Sequence, residues 1–384
     1  MLQAKTWNKS LLILLLFVGA SGLFVSCSKD DNDTGTPHID YVRITRPESS
    51  DSLLIGAGQG QLIAVVGDNL QAAKEVWFND QRALLTPTYI TRNTILVSVP
   101  SQIPVEVSNI LRIVFKNGQE LSHRFEVQIS EPYISSMACE YVAEGEIATI
   151  RGNFFYMPLT VTFEGGVTGE IVEVEDEQLQ VRVPAGAQPG PIVIATNFGE
   201  TKSNFWFRDT RNMLITNDPW SGWWGESNVV PASDPLAING NFTRITANIG
   251  SWGWTEWIGG KEDALSTSHN LPDEAVLNPA KYNMKFEVNT LKPYNGNRIK
   301  FMIGQINGPD PGWDTEPYFW EPPFDTKGKW QTVTVSFDQV VANYVTNWGI
   351  RPQGYGVKIW FHGPGALEAD IAFDNLRVVP KDIQ

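Results

Sequence analysis

The chain has 384 residues, with 43 acidic against 29 basic side chains, a formal net charge of −14 and two cysteines. So acidic a chain lacks the basic face that a nucleic-acid binder needs, and it disfavours polyanionic glycans such as heparin as ligands. Two cysteines exclude a disulfide scaffold, and the histidines at 38, 123, 269 and 362 have no zinc-site spacing.

In chain order, Lys5 and Lys9 precede an apolar run from Leu11 to Val18 that is too short to span a bilayer, and small residues lead to Phe24-Val25-Ser26-Cys27. The segment resembles a bacterial lipoprotein signal. That resemblance implies a signal peptide over 1–26, lipid on Cys27 and a tether over 27–38; a simple secretory signal is the other reading of these residues. The acidic SKDDND after Cys27 resembles the surface-export signal of Bacteroidetes lipoproteins, which implies an outer-membrane, surface-exposed location. With Cys27 lipidated, Cys139 has no partner and is expected to be a small buried hydrophobe.

The middle of the chain repeats itself. Ile63-Ala-Val-Val-Gly67-Asp-Asn69-Leu70, Val76-Trp-Phe78 and a strand ending at Pro100 are answered by Ala148-Thr-Ile-Arg-Gly152-Asn153-Phe154, Val161-Thr-Phe163 and a strand ending at Pro184. Gly67 to Gly152 and Phe78 to Phe163 share one offset of 85 residues, which marks a duplication. Short alternating strands without helical period predict two antiparallel sandwiches, over 39–130 and 131–209. Their G-x-N-[LF], V-x-F and V-P phrases resemble the Ig-like TIG (IPT) domain. Gly67 and Gly152 are expected at φ > 0, and both domains are expected to act as spacers.

From about residue 210 the composition changes. Eleven of the fourteen tryptophans follow residue 218, and alternation predicts strands over 242–249, 282–288, 299–305, 330–337, 357–361 and 371–378. The chain is therefore all-β, ending in a larger sandwich over 210–384 of the carbohydrate-binding-module, jelly-roll type. Alternation points Tyr282, Met284, Phe286 and Val288 inward, with Asn283, Lys285 and Glu287 outward. It likewise separates Ile299, Phe301 and Ile303 from Arg298, Lys300 and Met302, and it groups Lys358, Trp360 and His362 on an outer face.

Six tryptophans fall between Asp218 and Trp257, more than a core needs, since a buried indole N–H must find a partner. A flat ring with a polar edge can stack on the C–H face of a pyranose while amides and carboxylates bind its hydroxyls. Candidate sugar-binding residues are Trp220, Trp223, Trp224, Trp252, Trp254, Glu256, Trp257, Lys358 and Trp360, with Trp313 and Trp320 on a proline-rich loop walling the site. An extended WGWTEW segment aligns Trp252, Trp254 and Glu256 on one face and turns Trp257 inward. Trp330 and Trp348 are expected to be structural, Trp330 in the core.

The order of lipoprotein signal, Ig-like domains and tryptophan-rich sandwich resembles the surface glycan-binding proteins of Sus-like polysaccharide utilisation systems. The resemblance implies non-catalytic capture of a neutral polysaccharide such as xyloglucan or a related β-glucan, beside an outer-membrane porter complex. Similar sandwiches also imply a structural calcium near Asp370 or Asp374. The alternative class is a glycoside hydrolase or lyase using carboxylates around Glu256, Asp314 and Glu321.

Overall fold

The computed structural model describes residues 35–46, 51–260, 271–304, 318–344, 349–350 and 355–381. Cys27, Trp313, Asp314 and Trp348 lie outside the described residues. The chain forms two compact units, 1–128 and 129–384.

In the first unit, His38–Ile44, Leu62–Asp68 and Thr94–Ser98 form one sheet, and Ala73–Phe78 and Ile110–Phe115 lie at the centre of a four-stranded second sheet. Their apolar faces, among them Ile63, Val65, Val76, Phe78, Ile113 and Phe115, make one core. In the second unit the repeat folds the same way, as two four-stranded sheets over residues 133–207 around Ile150, Val161, Phe163, Val181 and Ile194.

The paired glycines have a different cause from the one expected. Neither has positive φ. A Cβ on Gly67 would lie 2.0 Å from the His38 carbonyl oxygen, and one on Gly152 would lie 1.8 Å from that of Tyr133. Glycine is needed because a neighbouring strand passes too close, where its register also shifts. The left-handed positions fall two residues later, at Asn69 (φ 57°) and Phe154 (φ 63°).

The C-terminal sandwich closes around a third core. One antiparallel sheet runs in the order Val229–Val230, Phe242–Ile249, Leu367–Pro380, Tyr282–Thr290, Gln331–Ser336. The other runs Trp254–Gly260, Gly356–His362, Ile299–Gly304, Tyr318–Trp320. Inward residues meet as predicted: Met284, Phe286, Val288, Ile299, Phe301, Ile303, Val357, Ile359 and Phe361 share one core.

The outward residues of the first sheet do not meet water. Lys285 and Glu287 are buried beneath the second Ig-like domain. Arg377 donates to Glu287 (2.8 and 3.0 Å) and to Glu140 (2.7 Å), and Lys285 Nζ donates to Glu140 at 2.5 Å. Thr332 completes the junction, its hydroxyl donating to Glu287 at 2.9 Å and its backbone N–H to the Ala138 carbonyl. Two acids and two bases balance. Burial works against charge on Arg377, yet Glu287 and Glu140 raise it well above its ordinary value. Burial likewise pushes the Glu287 carboxyl up, opposed by the Arg377 charge. The second Ig-like domain is thus fixed to the sandwich by a buried ionic network, in which the Arg377 Nε alone among the four charged groups' donors is left without a partner.

Cys139 is buried as expected, its thiol donating to the Tyr141 carbonyl, and burial pushes its pKa up, which makes it inert.

Candidate functional site

The outer face of the second sheet of the sandwich gathers most of the candidate residues. Register fixes who stands beside whom. Glu256 pairs with Trp360, Trp360 with Lys300, and Lys300 with Phe319, so these four form a row across all four strands. In the next row Trp254 pairs with His362, whose N–H donates to the Arg298 carbonyl. Lys358 and Met302 pair on the far side.

Aromatic rings crown these rows. Trp223, Trp252 and Trp254 are 54%, 55% and 53% exposed, an unusual state for a side chain whose burial is so favourable. The Trp254 ring stands edge-on to Trp360 at 5.9 Å. Trp360 itself is only 4% exposed and forms a floor, not the open platform expected of it. Trp252 stands against His362 at 5.5 Å, and Trp223 and Trp224 lie 5.0 Å apart at 49°.

One glycine lets the first tryptophan loop reach this face. Gly259 points outward opposite Lys358, and a Cβ there would lie 1.9 Å from the Trp224 ring. The loop is pinned by the Trp223 N–H donating to the Gly259 carbonyl at 2.7 Å and the Gly259 N–H donating to that of Trp224 at 3.1 Å.

Charge on the face is mixed. Arg298 packs 3.7 Å above the Phe319 ring and pairs with Glu321 at 3.5 Å. Burial, with Arg298 nearby, lowers the pKa of Lys300, and burial alone lowers that of Lys358. His362 is held below its ordinary value by burial, then by Lys300. These amphipathic groups offer donors to hydroxyls at a weakly charged face, chemistry suited to an uncharged sugar.

Other candidates belong elsewhere. Trp257 is 1% exposed, stacks on Phe373 at 3.9 Å and donates its indole N–H to the Thr243 hydroxyl, so it is a core residue. Alternation turns it inward while Glu256 stays out, and a register shift between Glu256 and Ile258 brings Ile258 into the core beside it. Trp320 also enters the core, against Phe286 and Tyr294. The proline-rich stretch around it was expected to be a loop, but Tyr318–Trp320 forms the edge strand, a position that flanking prolines permit. Trp220 packs partly buried against the core. Trp252 has φ 56° and sits in the turn before the strand, so it does not extend the line of Trp254 and Glu256. Trp330 packs edge-on to Phe242 at the margin and donates to the Leu236 carbonyl. Phe319 was missed because its strand was missed. Asp370 is held by a bidentate Arg244 and Asp374 accepts from Asn217 and Asn375, and among the described residues no three acidic, histidine or cysteine side chains gather into a metal site.

Comparison with known proteins bears on the family and the fold. Residues 207–380 match the family model described as the surface glycan-binding protein B xyloglucan binding domain. An IPT/TIG domain-containing protein of Bacteroides ovatus is 31% identical over 138 residues, covering 34% of this chain and only 28% of that protein. The crystal structure of a surface glycan-binding protein, PbSGBP-B from Prevotella bryantii, shares the fold over 91% of this chain and 99% of its own, with a TM-score of 0.67 at 24% identity.

Proposed function

We propose, for a chain whose C-terminal domain belongs to the surface glycan-binding protein B family, that it captures a neutral polysaccharide without cleaving it. The observation that carries this reading is the outer sheet face on which Trp223, Trp252 and Trp254 stand more than half exposed around Trp360, Lys300, Lys358 and Glu256. Each exposed ring stacks on a sugar face, and the polar groups between them bind hydroxyls. The family description favours xyloglucan or a related β-glucan.

Cell-surface placement follows from the same family reading. Lipid on Cys27 tethers the chain to the outer membrane, where many copies raise avidity for a long polymer and pass it to a porter complex. Capture at the surface needs no helix across the bilayer, and no helix among the described residues is long and apolar enough to cross one.

Affinity electrophoresis against a panel of neutral and anionic polysaccharides tests this. Xyloglucan or mixed-linkage glucan should retard the protein while polyuronates do not. Retardation by none of the neutral glucans, or only by anionic ones, contradicts the reading.

A further inference from the structure

The duplication lets the two Ig-like domains be compared position by position, and one corner differs. The Gly67 N–H donates to the Asn93 carbonyl and the Gly152 N–H to the Glu177 carbonyl, both at 3.0 Å, so the loops that follow the two glycines are equivalent. In the first domain this corner is polar and hydrogen-bonded. Asn69 is 8% exposed at φ 57°, a left-handed position that asparagine tolerates. Arg92 donates to Asp68 at 3.0 Å and to the Asn69 side-chain oxygen at 3.3 Å.

The second domain changes these places together. Phe154 takes the place of Asn69, at φ 63° and 40% exposed, Tyr156 that of Gln71, Met157 that of Ala72 and Asp176 that of Arg92. A bulky side chain is a poor occupant of a left-handed position, and asparagine holds the same backbone in the other copy, so the fold does not call for phenylalanine here. The hairpin between Gln188–Thr196 and Gly199–Phe207 adds Phe198. The Phe154 and Tyr156 rings lie 6.1 Å apart at 50°, and those of Tyr156 and Phe198 5.9 Å apart at 82°. Backbone strain and exposed aromatic surface thus fall on one residue, a pairing that marks function more often than packing.

The chemistry of the corner selects its occupant. Burial, then the Asp176 charge, pushes the Tyr156 phenol up, so a carboxylate and a hydroxyl stand together at the edge of the rings. Glu175 and Glu177 flank Asp176 in sequence, and this acidic rim repels a polyanion. Apolar ring faces with a polar edge repeat the make-up of the sandwich face and suit an uncharged sugar. The domain that carries them is held to the sandwich by the buried network of Glu140, Lys285, Glu287 and Arg377, so both aromatic sites belong to one compact unit. We propose that Phe154, Tyr156 and Phe198 form a second subsite for the same neutral polysaccharide, filled by a long chain that also lies on the platform and left empty by a short oligosaccharide. The proposal rests on the glycan reading above. A second contact on the same chain raises affinity for the polymer without any change at the platform.

The test returns the corner to the residues of the first domain. Protein carrying Phe154→Asn with Tyr156→Gln is compared with wild type by affinity electrophoresis on xyloglucan and mixed-linkage glucan polymers, and by calorimetry with oligosaccharides of each. Asparagine suits the left-handed position, so the double variant should melt at or above the wild-type temperature. Its affinity for the polymer should fall about 10-fold or more while its affinity for the oligosaccharide holds. Polymer affinity equal to wild type in the folded variant overturns the subsite, and a lowered Tm beside that result assigns the rings to packing. Equal losses for polymer and oligosaccharide also overturn it, because the substitutions then act through the platform. A wild-type protein that binds neither glucan overturns the glycan reading and this subsite together, whereas one that binds the oligosaccharide but shows no effect of the corner loses the subsite alone.

Discussion

The two sheets of the C-terminal sandwich are alike inside and opposite outside. The outer side of one carries Lys285, Glu287 and Arg377, which are the residues one expects in water, and it buries them under an Ig-like domain. The outer side of the other carries Trp254, flanked by Trp223 and Trp252, which one expects in a core, and leaves each of them more than half exposed. Buried charge is tolerated where opposite charges are paired, and exposed aromatic surface persists where it has a use. The first face is an internal joint and the second is the proposed binding site.

The largest effect should come from breaking the joint. Arg377→Met leaves Glu287 and Glu140 buried without their shared cation and should lower stability by about 3 to 5 kcal/mol in urea unfolding. A loss below about 1 kcal/mol, the value for an exposed pair, would mean that the network does not hold the joint. Trp257→Ala should cost about 3 to 5 kcal/mol of stability through its cavity. Trp254→Ala, three residues away, should leave melting unchanged and weaken glycan binding by about 1 to 3 kcal/mol. Equal stability losses in these two variants would erase the contrast between core and platform.

A smaller effect should follow pH. His362 titrates below its ordinary value in the folded protein, so below that value the unfolded chain binds more protons. Its contribution to stability is whole above the ordinary histidine pKa and falls as pH drops through it toward the folded one. His362→Gln should flatten that part of a Tm-versus-pH profile between about pH 5 and 7. An identical profile in the variant would show that the imidazole is not held neutral by its surroundings.

Alternation made much of this legible. It sorted Met284 from Lys285 and Ile359 from Trp360, and the 85-residue repeat announced two like domains before any strand was placed. It could not say what covers an outward face. Lys285 and Glu287 read as solvated because their partners, Glu140 and Arg377, lie 145 and 90 positions away in sequence. Tryptophan density pointed to the right sheet but not to the right rings. Trp257, an odd number of residues from Trp254, turns inward by alternation alone, whereas Trp320 enters the core through an edge strand that its flanking prolines hid. The row from Glu256 to Phe319 needs four strands in register, which only the fold supplies.

On the proposed function, the exposed aromatic face holds a neutral glycan and leaves it intact. Calorimetric titration of the protein with xyloglucan oligosaccharide, followed by assay of reducing ends in the same sample, tests it most directly. Saturable heat with no new reducing ends is the predicted result. Release of reducing ends would contradict it and turn attention to the carboxylates of Glu256 and Glu321.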